Sequence, residues 1–147
     1  MAGQLDGYNQ LSFFQTVASY WAERHRPNFL LVHFNDLLSD RDGEMRRIAA
    51  FLGIEIHPAV WPSLVEAASF ERMRAAGEVL MPQTTAMFTG GAKRFFNKGT
   101  NGRWHGVLTE DDLAAYNAKV RETLTPGLAL WLESGRRGSE DPRSSHD

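Results

Sequence analysis

The sequence predicts part of an α/β fold, and three observations support this. Several stretches of the 147-residue chain carry apolar side chains at helical spacing, so that about five helices are expected. One short apolar run, residues 29–34, is typical of a buried strand in a parallel sheet. A turn and a helix follow that strand, which is half of a βαβ unit. Because one strand cannot form a sheet alone, we expect the chain to be a piece of a larger fold.

The first two helices have recognisable start and stop signals. A capping-box pattern at Ser12 predicts a first helix from about residue 12 to 25, ahead of Pro27. Asp42 is predicted to cap the helix after the strand. Gly53 is predicted to end it.

The central segment contains two shorter predicted helices. Pro58 and Pro62 open a helical stretch that reaches Ala68. Ser69 is expected to cap a further turn or two, ending at Gly77. The helical pattern is then lost until Trp104, and a loop of this length in a compact domain usually has a function.

The C-terminal segment carries a second capping box, at Thr109 and Asp112. A short last helix is predicted to close at Gly135. Because residues 136–147 are polar and charged, we expect them to form a disordered tail after a partial domain spanning residues 1–135.

The composition excludes several classes of protein. A net charge of −2 and a pI near 6.2 argue against a general nucleic-acid-binding domain. The absence of cysteine excludes disulfides and thiolate metal sites, and the histidines share no ligand spacing, so we expect no metal. The N-terminus has no leader pattern, and no apolar run approaches the ~20 residues of a membrane span. We therefore expect a cytoplasmic protein.

The region from residue 79 to 109 contains no acidic side chain and carries a formal charge of +4. Since the whole chain is −2, the remainder is −6. The four cations are Lys93, Arg94, Lys98 and Arg103. Glycine here allows backbone N–H groups to approach phosphate oxygens, at Gly99 and Gly102. The pattern predicts an anion site, although a solvated loop face is the simpler alternative.

Three ordered motifs make the chain resemble the C-terminal part of the sulfotransferase family that uses 3′-phosphoadenosine 5′-phosphosulfate (PAPS). Leu-Leu-Val-His-Phe-Asn-Asp-Leu at residues 30–37 resembles the family's strand ending in a Tyr-Glu-Asp-Leu type motif. Residues 68–73 resemble its Ser-Phe-x-x-Met turn, and residues 96–104 resemble its Arg-Lys-Gly-x-x-Gly-Asp-Trp loop. Their order and spacing agree from about residue 8 to 133. The resemblance implies the mostly helical C-terminal part of a P-loop-type three-layer fold, with one clear strand.

The resemblance also implies a role for each matching residue. The 3′-phosphate of the nucleotide would be held by Asn97, Lys98 and Gly99. The adenine and ribose side would be lined by Ser69, Phe70, Met73 and, at the end of the strand, Phe34. The nucleotide would also pack against Phe95 and Phe96. The sulfate acceptor would contact Met87 and Phe88.

Two departures from the family pattern change the predicted charges. Asn97 stands where the family has arginine, which removes a bidentate phosphate contact. Arg103 stands where the family commonly has aspartate, and we expect this cation to compensate in part.

The family's Lys-Ser-Gly-Thr loop and catalytic histidine have no counterpart in this sequence, so we assign no catalytic residue. The expected function is the C-terminal part of a sulfotransferase, which transfers sulfonate from PAPS to a hydroxyl or amine of a small acceptor and releases adenosine-3′,5′-bisphosphate (PAP). Alone, the chain is predicted to be inactive. Two alternatives remain, namely a non-catalytic nucleotide-binding or protein-interaction module and a truncated, inactive remnant. A strand left short of partners also predicts self-association.

Overall fold

The structure, a computed structural model, describes residues 12–83, 87–96 and 98–147. Within these residues it contains eight helices and no β-strand. The helices are α1 (Phe13–Ala22), α2 (Phe34–Ser39), α3 (Arg41–Leu52), α4 (Trp61–Ala67), α5 (Phe70–Leu80), α6 (Gly91–Phe95), α7 (Glu110–Thr123) and α8 (Pro126–Ser134). The chain divides into a terminal unit, residues 1–40 with 104–147, and a central unit, residues 41–103.

Both predicted capping boxes are confirmed. The Ser12 hydroxyl accepts from the Gln15 N–H at 3.3 Å, and the Gln15 side chain accepts from the Ser12 N–H at 2.9 Å. Thr109 and Asp112 make the same reciprocal pair at the start of α7. These starts are local features, because a side-chain oxygen satisfies N–H groups that the first helical turn leaves without a partner.

The core of the terminal unit is built on Trp21 of α1 with Leu128 and Trp131 of α8. The two indole rings lie 5.8 Å apart between centroids, and Leu128 is 2% exposed. Partly buried apolar residues surround this cluster, namely Val17, Ala18, Leu31, Leu124 and Leu132. The core therefore joins the first and last helices of the part of the chain that the structure describes.

The predicted strand at residues 29–34 is wrong for this structure. Residues 29–33 form no regular element, and Phe34 is the first residue of α2. His33 has an extended backbone and caps α2, since its Nδ1 accepts from the Asn35 N–H at 3.1 Å. A β-ladder requires a partner strand, and none is present among the described residues. Sequence periodicity alone does not reveal such a partner.

A buried carboxylate ties α2 to the segment that follows α8. Asp36 is 1% exposed and accepts from the backbone N–H groups of Arg136 at 2.8 Å and Arg137 at 3.1 Å. Between them and α8, Gly135 has φ +74°, and a Cβ at that position would lie 2.9 Å from both Asp36 oxygens. Glycine is therefore needed here for both its backbone conformation and its lack of a side chain.

The last residues differ from the predicted disordered tail. The structure places them in turns and irregular segments that hydrogen-bond to the rest of the terminal unit. Arg143 donates to the Phe29 carbonyl at 2.7 Å, and Ser145 is 6% exposed. Polar composition alone predicts disorder because it ignores hydrogen bonds to distant backbone groups.

In the central unit, α3 and α4 are joined through one indole. Trp61 is 7% exposed, and its Nε1 donates to the Asp42 carboxylate at 2.6 Å. Arg46 bonds the same carboxylate at 2.7 Å and lies 4.5 Å from the centre of the Trp61 ring. Helix α5 continues to Leu80, past the stop predicted at Gly77, because the helical penalty of one glycine, about 1 kcal/mol, is too small to end a helix.

Candidate functional site

Ser69 begins the candidate site as the N-cap of α5. Its backbone is extended, its hydroxyl accepts from the Arg72 N–H at 3.2 Å, and it is 5% exposed. The predicted capping role is therefore confirmed. The N-terminus of an 11-residue helix carries the positive end of the helix dipole, which favours negative charge nearby.

The glycine loop lies directly against the first residue of this helix. Gly99 has φ +62°, and a Cβ at that position would lie 2.5 Å from Cδ2 of Phe70. Two of the three motifs, the Ser-Phe turn and the Lys-Gly loop, are thus in contact within one unit. Lys98, which precedes Gly99 directly, has an exposed side chain at this contact.

Three phenylalanine rings form a cluster beside the loop. The rings of Phe95 and Phe96 meet edge to face at 4.9 Å, and Phe88 packs on Phe95 at 5.4 Å. Phe95 and Phe96 are half-buried, and Phe88 is 41% exposed. Helix α6 carries Phe95 and contacts α5, so the cluster lies on the same small assembly as Ser69 and Phe70.

Three of the four predicted cations of the loop have exposed side chains. Arg94, Lys98 and Arg103 are all exposed. Gly102 has φ +74°, and its N–H donates to the Asn101 side chain at 2.8 Å. An exposed lysine, a glycine-rich backbone and a helix N-terminus together are able to bind an anion such as a phosphate.

The remaining predicted site residues differ in their placement. Met73 lies on α5 one turn after Ser69 and is 39% exposed. Met87, predicted to contact the acceptor, is 84% exposed. Phe34 belongs to the terminal unit, where it starts α2 and is 48% exposed. Asn97 lies outside the described residues.

Sequence reasoning missed the carboxylate that organises the start of α3. Asp42 was predicted only as a helix cap, whereas it lies in the first turn and binds Arg46 and Trp61. The Arg46 hydrogen bond, followed by that of the Trp61 indole, lowers the pKa of Asp42 below its ordinary value. The spacing of four residues between Asp42 and Arg46 indicates an ion pair on one helix face. The hydrogen bond from Trp61 is not visible in the local sequence, because that residue lies 19 positions away.

No group of three or more His, Asp or Glu side chains able to hold a metal ion occurs among residues 12–83, 87–96 and 98–147. Over the same residues, no helix has the length and apolarity needed to cross a membrane.

Comparison with known structures supports the fold. A crystal structure of mouse sulfotransferase SULT7A1 complexed with PAP matches with a TM-score of 0.68 and 24% sequence identity. The match covers 83% of this chain and 45% of the mouse chain. At this identity the likeness concerns the fold, and it indicates that this mostly helical chain corresponds to part of a P-loop-type sulfotransferase fold.

Comparison of sequences supports the family. The chain is 32% identical over 122 residues to a glycolipid sulfotransferase of Mycobacterium bovis, covering 83% of this chain and 37% of that protein. It is 27% identical over 126 residues to sulfotransferase 2A1 of Rattus norvegicus, covering 82% and 43%. The chain therefore spans less than half the length of these relatives. The family described as sulfotransferase domain matches residues 7–126, and this chain belongs to that family.

Proposed function

We propose that this chain forms the part of a sulfotransferase that binds the 3′-phosphate of PAPS and lines the acceptor site. The reaction would transfer sulfonate from PAPS to a hydroxyl or amine of a small acceptor. Family membership supports the reaction class. The observation that carries the proposal for this chain is the contact between Gly99 and Phe70, which brings Lys98 next to the N-terminus of α5.

The proposed phosphate site combines three sources of positive potential. The Lys98 ammonium is exposed and able to pair with a phosphate oxygen. The Gly99 backbone N–H lacks a shielding side chain, so an oxygen can approach it closely. The dipole of α5 adds a partial positive charge at Ser69. We propose that the Phe95–Phe96 ring pair provides the apolar surface on which the nucleotide packs.

The departure at Asn97 affects the expected affinity. An amide in place of the family's arginine brings no charge to the phosphate. We propose that Arg103 partly replaces this charge from the other end of the loop. The proposal predicts PAP binding that depends on both Lys98 and Arg103, with Lys98 the stronger contributor because it directly precedes the Gly99–Phe70 contact.

We propose that the acceptor contacts Met87 and Phe88. Both are exposed and apolar. Phe88 belongs to the ring cluster and Met87 directly precedes it, which suits an acceptor with an apolar or aromatic body. The relative from M. bovis is described as acting on a glycolipid, which also has a large apolar part. A soluble acceptor with a hydroxyl next to an apolar ring is therefore the first kind to test.

Calorimetry with PAP tests the nucleotide site. Lys98→Ala is expected to weaken binding roughly 10- to 100-fold, which is the usual value of a hydrogen bond to a charged group. Lys119→Ala is the matched control, because Lys119 is an exposed lysine of the terminal unit paired with Glu122. Absence of binding by the unaltered chain, or equal binding by Lys98→Ala, would contradict the proposed site.

Turnover distinguishes a catalytic part from a binding module. The sequence has no Gly-x-x-x-x-Gly-Lys spacing for a phosphosulfate loop, so we expect the chain alone to bind PAP without transferring sulfonate. Incubation with labelled PAPS and hydroxyl-bearing aromatic acceptors should give no labelled product. Labelled product from the isolated chain would show that its own residues suffice for catalysis.

A further inference from the structure

The first turn of α8 has an unusual way of satisfying its backbone. Thr125 is the N-cap, and its hydroxyl accepts from the Leu128 N–H at 3.4 Å. Pro126 has no N–H to satisfy. The remaining donor, the Gly127 N–H, bonds to the Asp147 carboxylate at 2.5 Å. A side chain 20 positions away therefore completes the capping of this helix.

The Asp147 carboxylate fits closely at this helix end. A Cβ on Gly127 would lie 2.5 to 2.7 Å from the three carboxylate atoms, so the absence of a side chain at Gly127 is what admits the group. The Ser145 hydroxyl donates to Oδ1 of Asp147 at 2.7 Å. Burial alone would raise the pKa of Asp147, but hydrogen bonds from Ser145, the Gly127 N–H and Thr125, with the charge of Arg24, bring it below its ordinary value.

A buried cation contacts the main chain beside this carboxylate. Arg24 is 8% exposed, lies 4.8 Å from the Trp21 ring centre and donates to the Trp21 carbonyl at 3.0 Å. Its Nη2 donates to the main-chain oxygens of Ser145, at 3.2 Å, and Asp147. Its buried Nε has no hydrogen-bond partner in the part of the chain that the structure describes. A buried guanidinium with spare donor capacity favours an anionic ligand.

We propose that Arg24 and the N-terminus of α8 form a carboxylate-binding site, and that Asp147 of the same chain is its ligand. Residues 143–147 then act as a strap that holds α1 and α8 together. This site belongs to the terminal unit and is separate from the proposed nucleotide site, which lies in the central unit. Its recognition chemistry is a helix dipole and one backbone N–H at the carboxylate, together with a buried guanidinium on the main-chain oxygen of the same residue.

The other end of the strap is held by carbonyl groups. The Arg143 guanidinium donates to the Phe29 carbonyl at 2.7 Å and, at 3.4 Å, to those of Arg26 and Pro27. The Arg143 carbonyl contacts Nδ1 of His25 at 3.1 Å. The strap therefore bonds to the turn after α1 at one end and to the start of α8 at the other.

Limited trypsin digestion of the full chain tests the strap. When the strap opens and closes quickly, the rate of cleavage after Arg143 is proportional to the fraction of molecules in which the strap is detached. Mass spectrometry of the intact chain detects the loss of residues 144–147. Asp147→Asn is expected to raise this rate about tenfold, since it removes a charge-assisted capping bond. Glu140→Gln removes the same charge from the same tail and should leave the rate unchanged. An unchanged rate in Asp147→Asn would overturn the proposal.

A double-mutant cycle identifies the contact itself. Gly127→Ala inserts a methyl group where the carboxylate lies, and alanine also favours the helix, so α8 is not weakened. This variant should also increase cleavage about tenfold. The double variant should be cleaved no faster than either single variant, because both remove one interaction. If the fold increases in cleavage rate of the two single variants multiply in the double variant, the two residues act independently, and the proposed site is overturned. PAP binding should be unchanged throughout.

Discussion

Gly99 and Phe70 are in direct contact, with the Cβ position of the glycine 2.5 Å from the phenylalanine ring. The contact joins two sequence motifs that lie 29 positions apart. Because Gly99 also has φ +62°, this position excludes other residues for two independent reasons. The close approach fixes where the loop passes the N-terminus of α5, and so where Lys98 can reach.

Comparing Gly99→Ala with Gly53→Ala should separate the cost of backbone strain from the cost of steric overlap with the Phe70 ring. Gly53 has φ +66° but nothing within 4 Å of its Cβ position, so its substitution tests backbone strain alone. We expect Gly53→Ala to lower the free energy of unfolding by about 1 kcal/mol. Gly99→Ala should cost roughly 1–3 kcal/mol more, because the ring must also move.

Urea unfolding gives the free energy of unfolding of both variants, and calorimetry with PAP then measures nucleotide binding by the folded proteins. Only Gly99→Ala should lose nucleotide binding. Equal destabilisation of the two variants would show that the Phe70 ring yields without cost and does not position the loop.

Asp36→Asn should destabilise the terminal unit strongly. The carboxylate is 1% exposed and accepts two backbone N–H bonds, so an amide would turn a donor toward one of them. We expect a loss of about 2–4 kcal/mol in the free energy of unfolding. Asp40→Asn is the control, since Asp40 is 35% exposed and pairs with Arg137 at the surface, a contact worth up to about 1 kcal/mol. Similar losses in chemical denaturation of both variants would argue against this role for Asp36.

The capping boxes and most helices were predictable because their signals are local. Ser12, Ser69 and Thr109 each act on an N–H three residues ahead, a distance that the sequence displays directly. The charge and glycines of the Lys-Gly loop predict an anion site, which stays a prediction, and the structure adds the contact of this loop with Phe70.

The features that were not predictable depend on distant partners. Residues 29–33 have the composition of a strand, but a strand exists only with a neighbour. Asp36 meets Arg136 across 100 positions, and Gly127 meets Asp147 across 20. Nothing in the local sequence distinguishes these aspartates from surface ones, because only the folded chain brings the backbone donors to them.

Acid titration of Trp61 fluorescence should report on Asp42. The Arg46 hydrogen bond and then the Trp61 indole hold the pKa of this carboxyl below its ordinary value of 3.8. A lowered pKa in the folded state means that the stabilisation is fully present above about 3.8 and is lost as the pH falls through the lower folded value. We expect the tryptophan emission of the chain, to which Trp61 is one of four contributors, to change in a step centred below 3.8.

Two variants test this assignment of the acid step. Asp42→Asn should abolish it. Asp111→Asn removes a carboxylate from another helix start and should leave it in place. A step that persists in Asp42→Asn would assign the titration to another group.

Residues 29–33 lead to a last prediction, self-association. Because residues 29–33 have the composition of a strand, we predict that this segment joins two copies of the chain. We expect sedimentation velocity to show a rising sedimentation coefficient as protein concentration increases. Val32→Lys should shift the protein toward monomer, because a lysine at a strand edge opposes pairing and its long stem keeps the charge in water. Val107→Lys makes the same change at a site that is 74% exposed and should leave association unchanged. A single monomeric species at every concentration, or equal effects of the two lysines, would exclude this segment as the interface.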